Sequence, residues 1–262
     1  MAISLAKLGH TVYAGARTIT TLDDIACERL IPLELDVNNE AHVDGAIAKI
    51  SEQQHVLDIL VNNAGYGAMG PLVEMPLEQL EDQFTTNVFS PLRLVQKFFP
   101  LLLKSDDAQI VNIGSVAGVT PTPFSGAYCA SKSALHTLSE VLRMELKPFN
   151  IHVMTVYPGG VASDFGSNAN SKLRDTLQKN SLYSRIVSAI ESRAKISSGS
   201  PTTSQNFVDT LIPAVLKAKP ADTIRIGHGS TLIPITRYFL PNRLREHLLC
   251  KTFELNTLDP IR

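Results

Sequence analysis

The sequence predicts a single α/β domain built on a parallel β-sheet, and three observations carry that expectation. The 262 residues suit one domain with a substantial core, and no stretch has the composition of a linker. Short apolar runs at 11–16, 31–35, 57–61, 109–113, 151–156 and 223–226 alternate with longer segments of helical pattern, as crossover-connected parallel strands do. Small and polar residues close several of these runs: Asn62-Asn63-Ala64-Gly65, Gly114-Ser115 and Pro158-Gly159-Gly160. In an open sheet of this class, ligands collect at the carboxyl ends of the strands.

Taken in order, residues 1–8 read as the latter half of an amphipathic helix, with Gly9 as its left-handed cap. The first strand ends Gly15-Ala16-Arg17-Thr18, an arginine with no carboxylate beside it, and the second ends in Asp36-Val37. A crossover helix is expected over 41–51, with Asn38 or Asn39 near its cap. The run 57–61 is apolar but for Asp58. After it, Gly65-Tyr66-Gly67-Ala68-Met69-Gly70 has the spacing of a dinucleotide fingerprint, but Pro71 and Pro76 stand where that fingerprint would open a helix. It is read as the continuation of the Asn-Asn-Ala-Gly turn. The helical pattern 77–103 is interrupted or bent at Pro91 and Pro100 and carries Asn87 within it. A further helix opens near Ser125 and ends at Pro148. The Ser/Asn-rich stretch 163–205 is too long for an ordinary connection and is expected to form a lid over substrate. A helix within 201–217 and the strand 223–226 complete the domain, followed by an amphipathic tail over 232–262.

Composition narrows the function. Lys plus Arg number 24 and Asp plus Glu 25, a net charge of -1 with no dense basic stripe, which argues against nucleic acid as the main partner. Cys27, Cys129 and Cys250 are odd in number, far apart and without metal-ligand spacing, so a reducing compartment is expected and a metal is not. Cys129 reads as a small packing residue. No run reaches the ~18 apolar residues of a membrane span, and the start has the pattern of neither a signal peptide nor a transit sequence, which points to the cytoplasm. The tail mixes apolar residues with Arg237, Arg243, Arg245 and Lys251. Such a segment suits a membrane surface or a lipid-like substrate, and equally a cover over the substrate cleft or a contact in a homo-oligomer.

The chemistry centres on the stretch from Ser125 to Lys132. Tyr128 and Lys132 stand four apart on a helix and so share one face. A cation beside a phenol favours the phenolate, which is expected to lower a pKa of ~10 and let the pair pass a proton near neutral pH. Ser115, at a strand end thirteen residues before Tyr128, is expected to meet them.

With Asn62-Asn63-Ala64-Gly65, Thr85-Thr86-Asn87-Val88, Gly114-Ser115-Val116-Ala117-Gly118, the Tyr128/Lys132 stretch and Pro158-Gly159-Gly160-Val161 in this order, the chain resembles the short-chain dehydrogenase/reductase family over nearly its whole length. The resemblance implies a Rossmann-like doubly wound sheet and NADP(H)-dependent interconversion of a ketone and a secondary alcohol. It implies catalytic roles for Ser115, Tyr128, Lys132 and Asn87, the Asn87 amide bonding a helix backbone and supporting a water beside Lys132. It implies cofactor contacts from Arg17, Asp36, Asn63, Tyr128, Lys132, Val161 and Ser163, with Ser163 replacing the family threonine. Arg17 stands where NAD enzymes hold a carboxylate, which favours a 2′-phosphate and hence NADP(H).

Gly114 to Gly118, Pro123-Phe124, Lys147-Pro148-Phe149-Asn150 and the basic tail are most similar to the 17β-hydroxysteroid dehydrogenase-like group and to fungal 1-acyldihydroxyacetone-phosphate reductases. Those act on bulky, lipid-like ketones. Family members begin with a further strand and a Thr-Gly-x-x-x-Gly-x-Gly turn for the cofactor pyrophosphate. Met1 falls inside the helix after that turn, so a gap in the middle of the sheet is expected. The gap gives weight to an alternative, a catalytically silent member of the fold that binds protein, lipid or a membrane surface. Retention of Ser115, Tyr128, Lys132 and Asn87 stands against it.

Overall fold

The structure, a computed structural model, describes residues 1–22, 27–163, 165, 181–195 and 199–258. In chain order its elements are α1 (Ala2–Lys7), β1 (Val12–Ala16), β2 (Leu30–Glu34), α2 (Glu40–Gln53), β3 (Ile59–Asn62), α3 (Leu77–Phe84), a π-helical turn (Thr85–Phe89) and α4 (Ser90–Leu102). There follow β4 (Ala108–Ile113), α5 (Gly126–Leu146), β5 (Ile151–Pro158), α6 (Val187–Lys195), α7 (Ser204–Val215), β6 (Thr223–Ile226), α8 (Leu232–Phe239) and α9 (Asn242–Thr252).

The apolar strand runs explain the layering. Successive side chains of a strand point to opposite faces of the sheet. Ala108 and Ile110 of β4 therefore join Leu60 of β3 and Ile151 and Val153 of β5 in a core with α2, α4 and α5. Val111 points the other way and meets Val61, Met154, Val156 and Ile226 in a core with α7 and Met1. Helices cover both faces of a parallel sheet, which makes this a single-domain, Rossmann-like α/β fold.

The strands are paired in two groups, β1-β2 and β3-β4-β5-β6. Both rest on one core, because Tyr13 and Leu33 pack in the cluster that holds Leu60 and Ile110. The groups are also tied where their strands end: beyond β2, Asn38 Nδ2 donates to Thr86 Oγ1 at 2.9 Å and Asn38 Oδ1 accepts from Ser90 Oγ at 2.7 Å. Among the described residues β1 and β3 each have a strand partner on one side only.

Local chemistry sets the helix ends. Asn39 caps α2, its Oδ1 accepting from the Ala41 and His42 amides at 3.0 and 3.3 Å. Gly9 lies just past α1 with a φ of 93°. The break in 77–103 differs from expectation, since Pro91 sits harmlessly in the first turn of α4 and Pro100 lies inside that helix. The interruption is the π turn instead.

Of the lid expected over 163–205, residues 164, 166–180 and 196–198 lie outside the described residues, as do 259–262 of the tail. The described remainder of that stretch contains α6, and its last two residues already belong to α7.

Candidate active site

Parallel register brings the ends of β3, β4 and β5 side by side, with Asn62 opposite Asn112 and Ile113 opposite Val156. Ser115 follows β4 as the N-cap of a short 3-10 turn, where its Oγ accepts from the Ala117 N–H at 3.1 Å. The Ser115 N–H donates to His136 Nε2 at 3.2 Å. Tyr128 enters from the first turn of α5, close enough to the Ser115 hydroxyl for that group to favour the phenolate. Lys132, one turn later, donates from Nζ to the Ile113 carbonyl at 2.7 Å. The three side chains meet, as the sequence predicts, and all are buried.

Their electrostatics differ from the expectation based on spacing. Burial pushes the Tyr128 phenol up to about 12, and the Ser115 hydroxyl and the Arg193 guanidinium offset this only in part. Burial also brings Lys132 down to about 8. The ammonium is turned toward the Ile113 carbonyl, 6.0 Å from the centre of the Tyr128 ring. Desolvation therefore dominates, and the phenol keeps its proton at neutral pH.

Asn87 is fully buried by the π turn, and its partners are not those expected. Its Oδ1 accepts from the Tyr66 N–H at 3.1 Å, while Nδ2 donates to the Tyr66 carbonyl at 2.9 Å and to Ser131 Oγ at 3.1 Å. The amide thus ties the turn after β3 to the side chain of α5, rather than to a helix backbone. A Cβ on Gly65 would lie 3.0 Å from Asn87 Oδ1 and 3.5 Å from Lys132 Nζ, so these groups converge beside a glycine.

Two further residues were not picked out from the sequence. Gln83, one turn before Asn87, accepts from the Ala68 N–H at 2.6 Å and donates to the Tyr66 carbonyl at 2.5 Å. Its signal was a second amide four residues from Asn87 on one helical face. Arg193 of α6 is only 8% exposed and donates from Nε to Thr122 Oγ1 at 2.8 Å and from Nη2 to Ser125 Oγ at 3.0 Å. It ties α6 to the start of the helix that carries Tyr128, and nothing in its polar surroundings marked it.

The candidate cofactor residues lie beyond strand ends. Arg17 is exposed just past β1, and Asp36, past β2, accepts from the Asn38 N–H at 2.9 Å. Asn63 is exposed after β3, Val161 is half-buried after β5, and the exposed Ser163 turns its Oγ to the Val161 carbonyl at 3.5 Å. Around Tyr128 the surroundings are apolar: Met69, Phe124, Ile186, Ile190 and Phe253 pack in one cluster with it. Phe253, from the tail, stands edge-on to Phe124 at 6.3 Å. The inner side of the tail is thus a wall of this cluster, one of the roles that its composition left open. Among the described residues no group of three His, Cys, Asp or Glu could hold a metal ion, and no helix is long and apolar enough to cross a membrane.

Comparison with known proteins identifies the family to which this fold belongs. Residues 1–174 match the family model described as short chain dehydrogenase. The chain is 35% identical over 193 residues to the short-chain type dehydrogenase/reductase VdlC of Helicobacter pylori, covering 72% of this chain and 69% of that one. It is 28% identical to the NADPH-dependent 1-acyldihydroxyacetone phosphate reductase of Saccharomyces cerevisiae, over 97% and 86% of the two chains. A solved short-chain dehydrogenase from Streptomyces avermitilis is similar with a TM-score of 0.78 at 25% identity, over 98% of this chain and 92% of that one. The chain belongs to the short-chain dehydrogenase family of oxidoreductases.

Proposed function

We propose that the protein is an NADPH-dependent reductase of hydrophobic, lipid-like ketones, with Tyr128 as the proton donor. The observation that carries this reading is the buried meeting of Ser115, Tyr128 and Lys132, in which the phenol keeps its proton at neutral pH. A bound nicotinamide cofactor would supply the hydride that the substrate carbon takes up. The residues present fit such a cofactor: Asn63, Val161 and Ser163 border the ends of β3 and β5, and Lys132 and the bare Gly65 backbone lie between.

In this reading Tyr128 gives its proton to the carbonyl oxygen. The Ser115 hydroxyl, whose oxygen accepts from the Ala117 N–H, would donate its hydrogen to that oxygen as charge develops. Lys132 binds the cofactor's ribose hydroxyls and favours ionisation of the phenol. Asn87 holds the turn after β3 against α5 and so completes the route by which the proton is replaced.

Arg17, exposed and without a carboxylate beside it in sequence, would take the 2′-phosphate, and Asp36 would border the adenine. The yeast relative, described as NADPH-dependent, supports that cofactor and, by the rest of its name, a lipid ketone. The apolar cluster around Tyr128 supports the same substrate class. We assign the described residues of 163–205 to a lid, and the facing edges of β1 and β3, which lack partners among the described residues, would admit a further parallel strand. The outer side of the tail exposes Leu232, Tyr238 and Phe239 beside Arg237, Arg243 and Arg245, which suits peripheral contact with a lipid surface.

The experiment is NADPH oxidation with a panel of short, long-chain and phosphorylated acyl ketones. Turnover that rises with chain length supports the reading. Oxidation of no ketone in the panel contradicts it.

A further inference from the structure

His136 stands one turn beyond Lys132 on the face of α5 that also carries Tyr128, and only 6% of it is exposed. Its Nε2 accepts from the Ser115 N–H at 3.2 Å, which leaves Nδ1 as the protonated nitrogen of a neutral ring. The ring is held on several sides. The Tyr157 ring of β5 lies against it with centroids 4.2 Å apart. A Cβ on Gly114 would come 2.4 Å from Nε2, and one on Gly118 2.5 Å from Cε1, closer than atoms can approach. The two glycines that bracket Ser115-Val116-Ala117 are therefore the space the imidazole occupies. Burial and the Lys132 charge together hold His136 down at about 4, so it remains an acceptor at neutral pH.

We propose that His136 is a positioning residue for Ser115: its neutral imidazole anchors the Ser115 backbone and thereby aims the serine hydroxyl at the reacting oxygen. The proposal rests on the reading of Ser115 as the group that holds that oxygen. Without the acceptor, a buried N–H is left unpaired and the turn after β4 loses its tether to α5. A misplacement on the order of 1 Å in such a group costs about a hundredfold in rate.

The test combines variants with spectroscopy on the full chain. His136→Leu is expected to lower kcat for the best ketone about tenfold to a hundredfold, with KM for NADPH changed less than about twofold. His136→Gln, whose side-chain oxygen can take the place of Nε2, is expected to restore kcat to within about threefold. In a Ser115→Ala background, His136→Leu is expected to change kcat by less than about twofold, because its effect runs through a hydroxyl already removed. Equal losses in both backgrounds, or no loss in the first, overturn the proposal. Long-range proton–nitrogen couplings of the unmodified protein, which need no variant to fold, are expected to report a neutral ring protonated at Nδ1. A ring protonated at Nε2, or charged at pH 7, overturns it. Absence of ketone turnover beside an Nδ1-protonated ring counts against the functional reading and for the His136–Ser115 contact.

Discussion

Lys132 Nζ donates to the Ile113 carbonyl at 2.7 Å, facing the end of β4 rather than the phenol of Tyr128, whose ring centre is 6.0 Å away. A cation near a phenolate lowers its pKa, and burial raises it. Burial of an ionisable group can shift it by up to about five pKa units. The site therefore favours a protonated tyrosine, the form that the proposed reduction consumes. Oxidation of an alcohol would need the phenolate and so a higher pH.

The buried ammonium also bears on stability. Lys132 keeps its proton up to about 8 in the fold, against 10.5 unfolded. Between those values the unfolded chain binds more protons, so this group's contribution rises with pH. Above 10.0 the Tyr128 phenol acts in reverse, because it ionises near 12 in the fold and earlier when unfolded. Lys132→Met is expected to be inactive yet more stable at pH 7 by about 1–3 kcal/mol, and to lack the wild-type rise between pH 8 and 10. Thermal melts across pH check this, and a less stable variant would contradict it.

Arg17→Asp is expected to narrow or reverse a preference for NADPH over NADH, since it exchanges a partner for the 2′-phosphate for a repelling carboxylate. Fluorescence titration with each cofactor checks it. Equal affinities in the unmodified protein would remove the role given to Arg17.

The tail offers a test of lipid contact. Tyr238 and Phe239 are 77% and 81% exposed beside Arg237. Flotation with vesicles containing phosphatidylserine is expected to carry the protein, and Phe239→Glu to reduce that several-fold. Equal recovery of both proteins would sink the idea.

What the sequence made legible was local. The strand at Thr223–Ile226 and the helix opening after Ser125 follow from short apolar runs and turn residues, and Ser115, Tyr128 and Lys132 from position at a strand end and spacing on a helix. What stayed hidden depends on partners distant in sequence. The π turn that buries Asn87 is bonded to a loop twenty-one residues away, and Arg193 reaches Ser125 across sixty-eight. Spacing paired Tyr128 with Lys132 but could not weigh their attraction against desolvation, which only the packed site fixes.

The central claim is that Tyr128 supplies the proton, and Tyr128→Phe tests it most directly. The variant removes one oxygen from a ring that otherwise keeps its packing against Phe165, 5.2 Å away. Single-turnover reduction of the best ketone is expected to slow by about a thousandfold or more, with NADPH affinity within about threefold of wild type. A variant that keeps more than about a tenth of the wild-type rate would show that the proton comes from elsewhere.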